Sequence, residues 1–168
     1  QVSGYNGQKP PQDTWLITPA LDIKNAKSKT LSFDVNVNPY KATDDKFEVY
    51  VLDLADPNQA SVKVKLNPTL PSPPASTWSE WTTVDDIDLS AFDDGIYFIG
   101  FHYYVEGNTA NSYMTWRLDN VSFGFGDVIP STRADFETMG SPQGSKYDTF
   151  TSAKGWTATN SLLFQGGA

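Results

Sequence analysis

Trp78 and Trp81 flank a Ser-Glu pair next to a proline-rich stretch, and Tyr113 closes the polar run EGNTANS. Aromatic rings beside short polar side chains suit stacking on sugar faces, with hydrogen bonds to the hydroxyl groups. These three are the candidate ligand-binding residues; the plainer role for such rings in a β protein is to fill a sheet face. His102 is the single histidine, and its place in an alternating apolar run fits a packed strand residue better than a catalytic base. No GxSxG-type turn accompanies it, so Ser-His-Asp hydrolysis is not expected. The chain's 20 acidic residues would permit a glycosidase pair, but no spacing selects two of them. Asp135 and Glu137 alternate with Phe136, so a strand there would send both carboxylates to one face, within reach of one cation.

Composition narrows the classes further. A chain of 168 residues with 39% hydrophobic content can bury one proper core. The formal net charge is −8, almost all of it upstream of residue 134, and a chain without a basic face is not expected to bind nucleic acid. Cysteine is absent, which removes disulfides, thiolate catalysis and zinc-thiolate sites. No run of about 18 apolar residues occurs, so no membrane insertion by this chain is expected. No charged region followed by an apolar stretch opens the sequence, so no signal peptide is expected within it either.

The elements that must position these residues are strands. LSFDVNV puts Leu31, Phe33, Val35 and Val37 on one side and Ser32, Asp34 and Asn36 on the other, as a strand with one wet face requires. FEVYVLD at 47–53 and SVKVKL at 61–66 alternate likewise, the second with Lys63 and Lys65 outward. IYFIGFHYYV at 96–105 is apolar or aromatic on both sides, which predicts a central strand covered on each face. In TWRLDNVSFGF the phase breaks: Trp116 and Leu118 share one parity, and Val121, Phe123 and Phe125 the other. A one-residue slip at Asp119 and Asn120 is how a β-bulge appears in sequence. Turn-formers separate the strands, NPTLPSPPAS at 67–76 being too rich in proline for a sheet interior. The acid-rich segments DDKFEVY at 44–50 and DDID at 85–88 lack EF-hand spacing and are expected to be loops. No segment keeps helical period over three turns, so the fold class is all-β, a sandwich.

DTWLITPALDI at 13–23, LSFDV, DIDLSAF at 86–92, YFIGFHYY at 97–104 and WRLDNVSF at 116–123, in this order, resemble the cleaved-adhesin and choice-of-anchor J family. Such domains occur on exported, often cell-surface proteins, especially of Bacteroidetes-type bacteria. The resemblance implies a jelly-roll β-sandwich similar to MAM-type receptor domains and to many carbohydrate-binding modules. Family members begin with an FE-containing strand and a GW motif, whereas here those pieces stand last, as ADFETMG at 134–140 and KGWTATNS at 154–161. The expected organisation is a main body at 1–125, a linker at 126–133 and a tail at 134–168 that completes the same sandwich. Exchange of the tail between copies and a partial second repeat are the alternatives. Completion is preferred because Phe136, Phe150 and Trp156 need burial and an edge strand needs cover.

The resemblance also implies a structural calcium ion, and matching residue by residue assigns it Asp13, Asp119, Asp135 and Glu137. The plain alternative is that these acids are solvated, with Asp13 and Asp119 capping turns. The function so implied is a non-catalytic extracellular or cell-surface adhesion and binding module for glycan or protein ligands. A structural spacer beside an enzyme or anchor comes second, and a carbohydrate-active enzyme third.

Overall fold

The computed structural model describes residues 2–3, 12–38, 45–75, 77–105, 114–124, 132–134 and 157–158, with backbone pairing alone for 2–3, 12, 86, 132–134 and 157–158. Those residues form β-strands and turns and no helix, in two antiparallel sheets. The strands are β1 (Val2–Ser3), β2 (Gln12–Ile17), β3 (Leu21–Asp22), β4 (Thr30–Asn38), β5 (Asp45–Leu52) and β6 (Lys63–Leu66). They continue with β7 (Thr82–Asp88), β8 (Ile96–Val105), β9 (Thr115–Phe123), β10 (Thr132–Ala134) and β11 (Thr157–Ala158). In the first sheet the order is β1-β9-β4-β7, with β10 also on β9; in the second it is β11-β2-β8-β5-β6, with β3 also on β8.

Period-two alternation builds one core between the sheets. Leu31, Phe33, Val35 and Val37 of β4 are fully buried and meet Ile99, Phe101, Tyr103 and Val105 of β8 in a single cluster. Phe33 lies edge-on to Phe101 with ring centroids 5.3 Å apart, and Phe47 of β5 stacks on Trp116 of β9 at 4.9 Å. These cross-sheet aromatic pairs make the arrangement sandwich-like. As its two-sided apolar pattern predicts, β8 is central, paired with β2 and β3 on one edge and β5 on the other.

The acid-rich segments are corrected: their described residues, 45–50 and 85–88, lie in strands. Asp45 opens β5 and is buried, and Asp85 to Asp88 end β7, paired with β4. Between Leu31 and Phe33 of β4 the partner strand advances from Ile87 to Val84, so an extra residue is accommodated near Asp85 and Asp86. This irregularity lets Val84 and Ile87, three positions apart, both face the core, which is why simple alternation misses the strand.

Both chain ends return to these sheets. β1 pairs with Trp116 and Thr115, and β10 pairs with the other end of β9, placing Ala134 opposite Val121. β11 lies on the free edge of β2, with Thr157 opposite Ile17 and Ala158 opposite Leu16. An edge strand that gains a partner no longer offers its backbone to another chain. Among the described residues, no helix is long and apolar enough to cross a membrane.

Candidate functional site

The expected slip in β9 is present. Asp34 pairs with Asp119, but Ser32 pairs with Ser122, so two steps along β4 meet three along β9. Asn120 absorbs the extra residue with a φ of 48°, a left-handed conformation that asparagine tolerates better than most residues. Asp34 alternates with core-facing Phe33 and Val35, so Asp119, directly across from it, shares the outer face of the first sheet. Asn120 turns to that face too, where its Nδ2 donates to Asp34 Oδ2 at 2.7 Å. The Thr83 hydroxyl of β7 donates to Asp34 Oδ1 at 2.7 Å, and the Asn120 N–H donates to Asp119 Oδ1 at 2.8 Å. Three strands thus fix two neighbouring carboxylates on one outer wall.

Two register positions along, on the same face, Asn36 of β4 stands opposite Arg117 of β9. The segment after the proline-rich loop is pinned nearby: the Ser79 N–H donates to the Val37 carbonyl at 2.9 Å, and the Val37 N–H donates to Ser79 Oγ at 3.0 Å. This anchoring carries Trp78 to Arg117, whose guanidinium carbon lies 3.6 Å from the indole centroid, a close cation–π contact. Burial pulls the Arg117 guanidinium below its ordinary pKa. Asn36, on the same outer face, is only 3% exposed, and among the described residues its Oδ1 accepts no hydrogen bond. Trp81, at the mouth of β7, is 49% exposed. Tyr113 lies outside the described residues.

Asp13 belongs to the other sheet. From β2 its Oδ1 accepts the Trp15 indole N–H at 2.9 Å and lies 2.8 Å from His102 Nε2 of β8. Trp15 stacks on the His102 ring, with centroids 4.0 Å apart and planes 11° from parallel. His102 Nδ1 is buried without a hydrogen bond among the described residues, 3.7 Å from Glu48 Oε2. Burial lowers the His102 pKa against the opposing pull of Asp13 and Glu48, which fits a neutral ring carrying its proton on Nε2. Burial also pushes the Glu48 carboxyl up, but hydrogen bonds from Lys65 and Tyr50 outweigh it and hold the pKa low. The Tyr50 hydroxyl is pushed up to about 12, by burial and then by Glu48. Lys63 caps the group, 4.6 Å from the Trp15 ring. The histidine is built into a packed sheet face.

The sequence-derived carboxylates are therefore not all assembled by the described residues. Asp13 and Asp119 stand in different sheets, each with one oxygen already accepting N–H donors, and no group of three or more His, Cys, Asp or Glu that could hold a metal occurs among the described residues. Asp135 and Glu137 lie outside them. Conversely, Trp78 and Asp119 come to the same wall, joined by residues that sequence reasoning did not single out as a site: Asp34, Asn36, Thr83, Arg117 and Asn120. The alternation in LSFDVNV had put Asp34 and Asn36 on one wet face; strand register, invisible in one sequence, adds the rest.

No protein-family model and no curated protein matches the chain. The described residues present two outer walls. The second is closed by its own ring stack. The first offers an aromatic face, an arginine, an amide and two carboxylates side by side.

Proposed function

We propose that this chain is a non-catalytic binding module for glycan or protein ligands, and that the ligand is held on the outer face of the first sheet. The observation that carries this is Trp78 lying on Arg117, the strand partner of Asn36, with the pair Asp34 and Asp119 two positions further along the same face. An aromatic plane beside fixed donors and acceptors is what recognition of a hydroxyl-bearing or peptide surface needs. These residues include no activated nucleophile, and the one histidine is packed in the other sheet. Residual glycosidase chemistry would show as product released from a polysaccharide panel.

The resemblance of the WLITP, DIDLSAF and WRLDNVSF motifs to cleaved-adhesin and choice-of-anchor J domains supports an exported, cell-surface setting and a jelly-roll topology. Pairing of β10 with the first sheet and β11 with the second supports a tail that completes its own sandwich. Calcium remains part of the proposal on the strength of that resemblance. Ala134, which precedes Asp135 in the chain, pairs with Val121, two positions from Asp119, so Asp119 is better supported as a ligand than Asp13. Melting in EDTA against millimolar calcium, with Asp135→Ala as the control, tests it: the expected result is a calcium-dependent rise that the variant loses.

A glycan and surface-protein binding screen of the wild type and Trp78→Ala tests the binding role. Saturable binding that the variant loses is the expected result. A blank screen would instead favour a structural spacer.

A further inference from the structure

Resting on that binding role, we propose that the subsite under Trp78 takes a neutral, hydroxyl-rich glycan, with Asn36 as its floor. A buried amide oxygen without a donor is unusual in a folded protein, and among the described residues Asn36 Oδ1 is one, on an outer wall rather than in the core. A sugar hydroxyl is a donor of suitable size for it, and the C–H face of the same ring would pack on the indole. The oxygen is enclosed, so the proposal includes a movement: Trp78, stacked on the strand partner of Asn36, exchanges Arg117 for the sugar while Ser79 stays pinned to β4.

The charges on the wall select the ligand's class. An acidic sugar would bring its carboxylate or sulfate beside Asp34 and Asp119, in a chain of net charge −8, and like charges at such range are costly. A basic peptide would bring ammonium groups against Arg117, which lies on the indole and is the strand partner of Asn36. A neutral hydroxyl both donates and accepts, so it can serve the two carboxylates, the amide oxygen and the guanidinium together.

The test is affinity electrophoresis and calorimetry with three probes: neutral polysaccharides (a mixed-linkage glucan, galactomannan and xyloglucan), acidic ones (polygalacturonate and heparin), and poly-lysine. Retention by a neutral polysaccharide is expected, with affinity falling about tenfold in Trp78→Ala and by a similar factor in Asn36→Ser. Melting temperature serves as the folding control, and Arg117→Lys supplies a second variant should Asn36→Ser fold poorly. Binding to acidic polymers or poly-lysine alone would overturn the inference and leave the binding role standing. So would neutral-glycan binding unchanged in both Trp78→Ala and Arg117→Lys. Silence with every glycan and with the surface-protein screen would overturn both.

Discussion

The Tyr103 hydroxyl donates to Asp45 Oδ2 at 2.5 Å inside the core, and the Met114 N–H donates to the same oxygen at 2.8 Å. A buried carboxylate thus ties the start of β5 to the last stretch of β8, near Val105, and to the residue that leads into β9. Tyr103→Phe removes one bond to a charged acceptor and is expected to cost about 1.5–3 kcal/mol. Asp45→Ala is expected to cost more, about 3 kcal/mol or above, because it leaves the buried Met114 N–H without this acceptor and the Tyr103 hydroxyl with only the longer bond to the Met114 carbonyl, 3.4 Å. Urea unfolding of the two variants checks the order; equal and small losses would mean that packing alone holds this corner.

Gly100 lies beneath the Trp15 indole: a β-carbon there would stand 2.9 Å from two ring carbons and 3.1 Å from Leu52 Cδ1. No side chain fits without moving the ring off the sheet. Gly100→Ala is expected to destabilise by about 1–3 kcal/mol through overpacking. The cost should shrink markedly in a Trp15→Ala background, where the closer obstruction is gone and only Leu52 remains. Thermal unfolding of the double-mutant cycle measures this, and an undiminished cost would place the strain elsewhere.

Stability should depend on pH through His102. Burial lowers its folded pKa from 6.5, so below the unfolded value the unfolded chain holds more protons and gains ground as pH falls. The loss levels off once the folded ring is protonated as well. Glu48, whose folded pKa is also depressed, adds a separate loss near the ordinary carboxylate range, as the pH drops through its folded pKa. Urea midpoints between pH 5 and 8 should therefore be flat at the top and decline below about 6.5. His102→Gln, which can still donate to Asp13, should flatten that first decline, whereas a persisting decline would assign it to another group.

Asn120 combines a left-handed backbone with a bond to Asp34. Asn120→Gly keeps the backbone and loses only the bond, for about 1 kcal/mol. Asn120→Ala loses both and should cost about 1–2 kcal/mol more. Equal unfolding free energies for the two variants would show that the bulge can relax to an ordinary φ.

How much was legible can be judged on particular elements. Leu31 to Val37, Ile96 to Val105 and the slip at Asp119 follow from period two and its one interruption, because an alternating strand must present its apolar side to a core whatever its neighbours are. DDID reads as a loop because the irregularity at Asp85 and Asp86 places two core residues three apart, a spacing that looks like a turn. The candidate site was half legible: the indole of Trp78 and the carboxylate of Asp119 can be picked out by type.

The sequence by itself determined the all-β class, the core faces of the strands and the bulge, since these depend on local alternation and backbone preference. Only the tertiary structure decided that Asp13 and Asp119 stand in different sheets, that Arg117 lies under Trp78, and that Asn36 is buried on an outer wall. Those facts depend on strand order and register, which arise from long-range pairing between segments whose separate patterns are compatible with several partners.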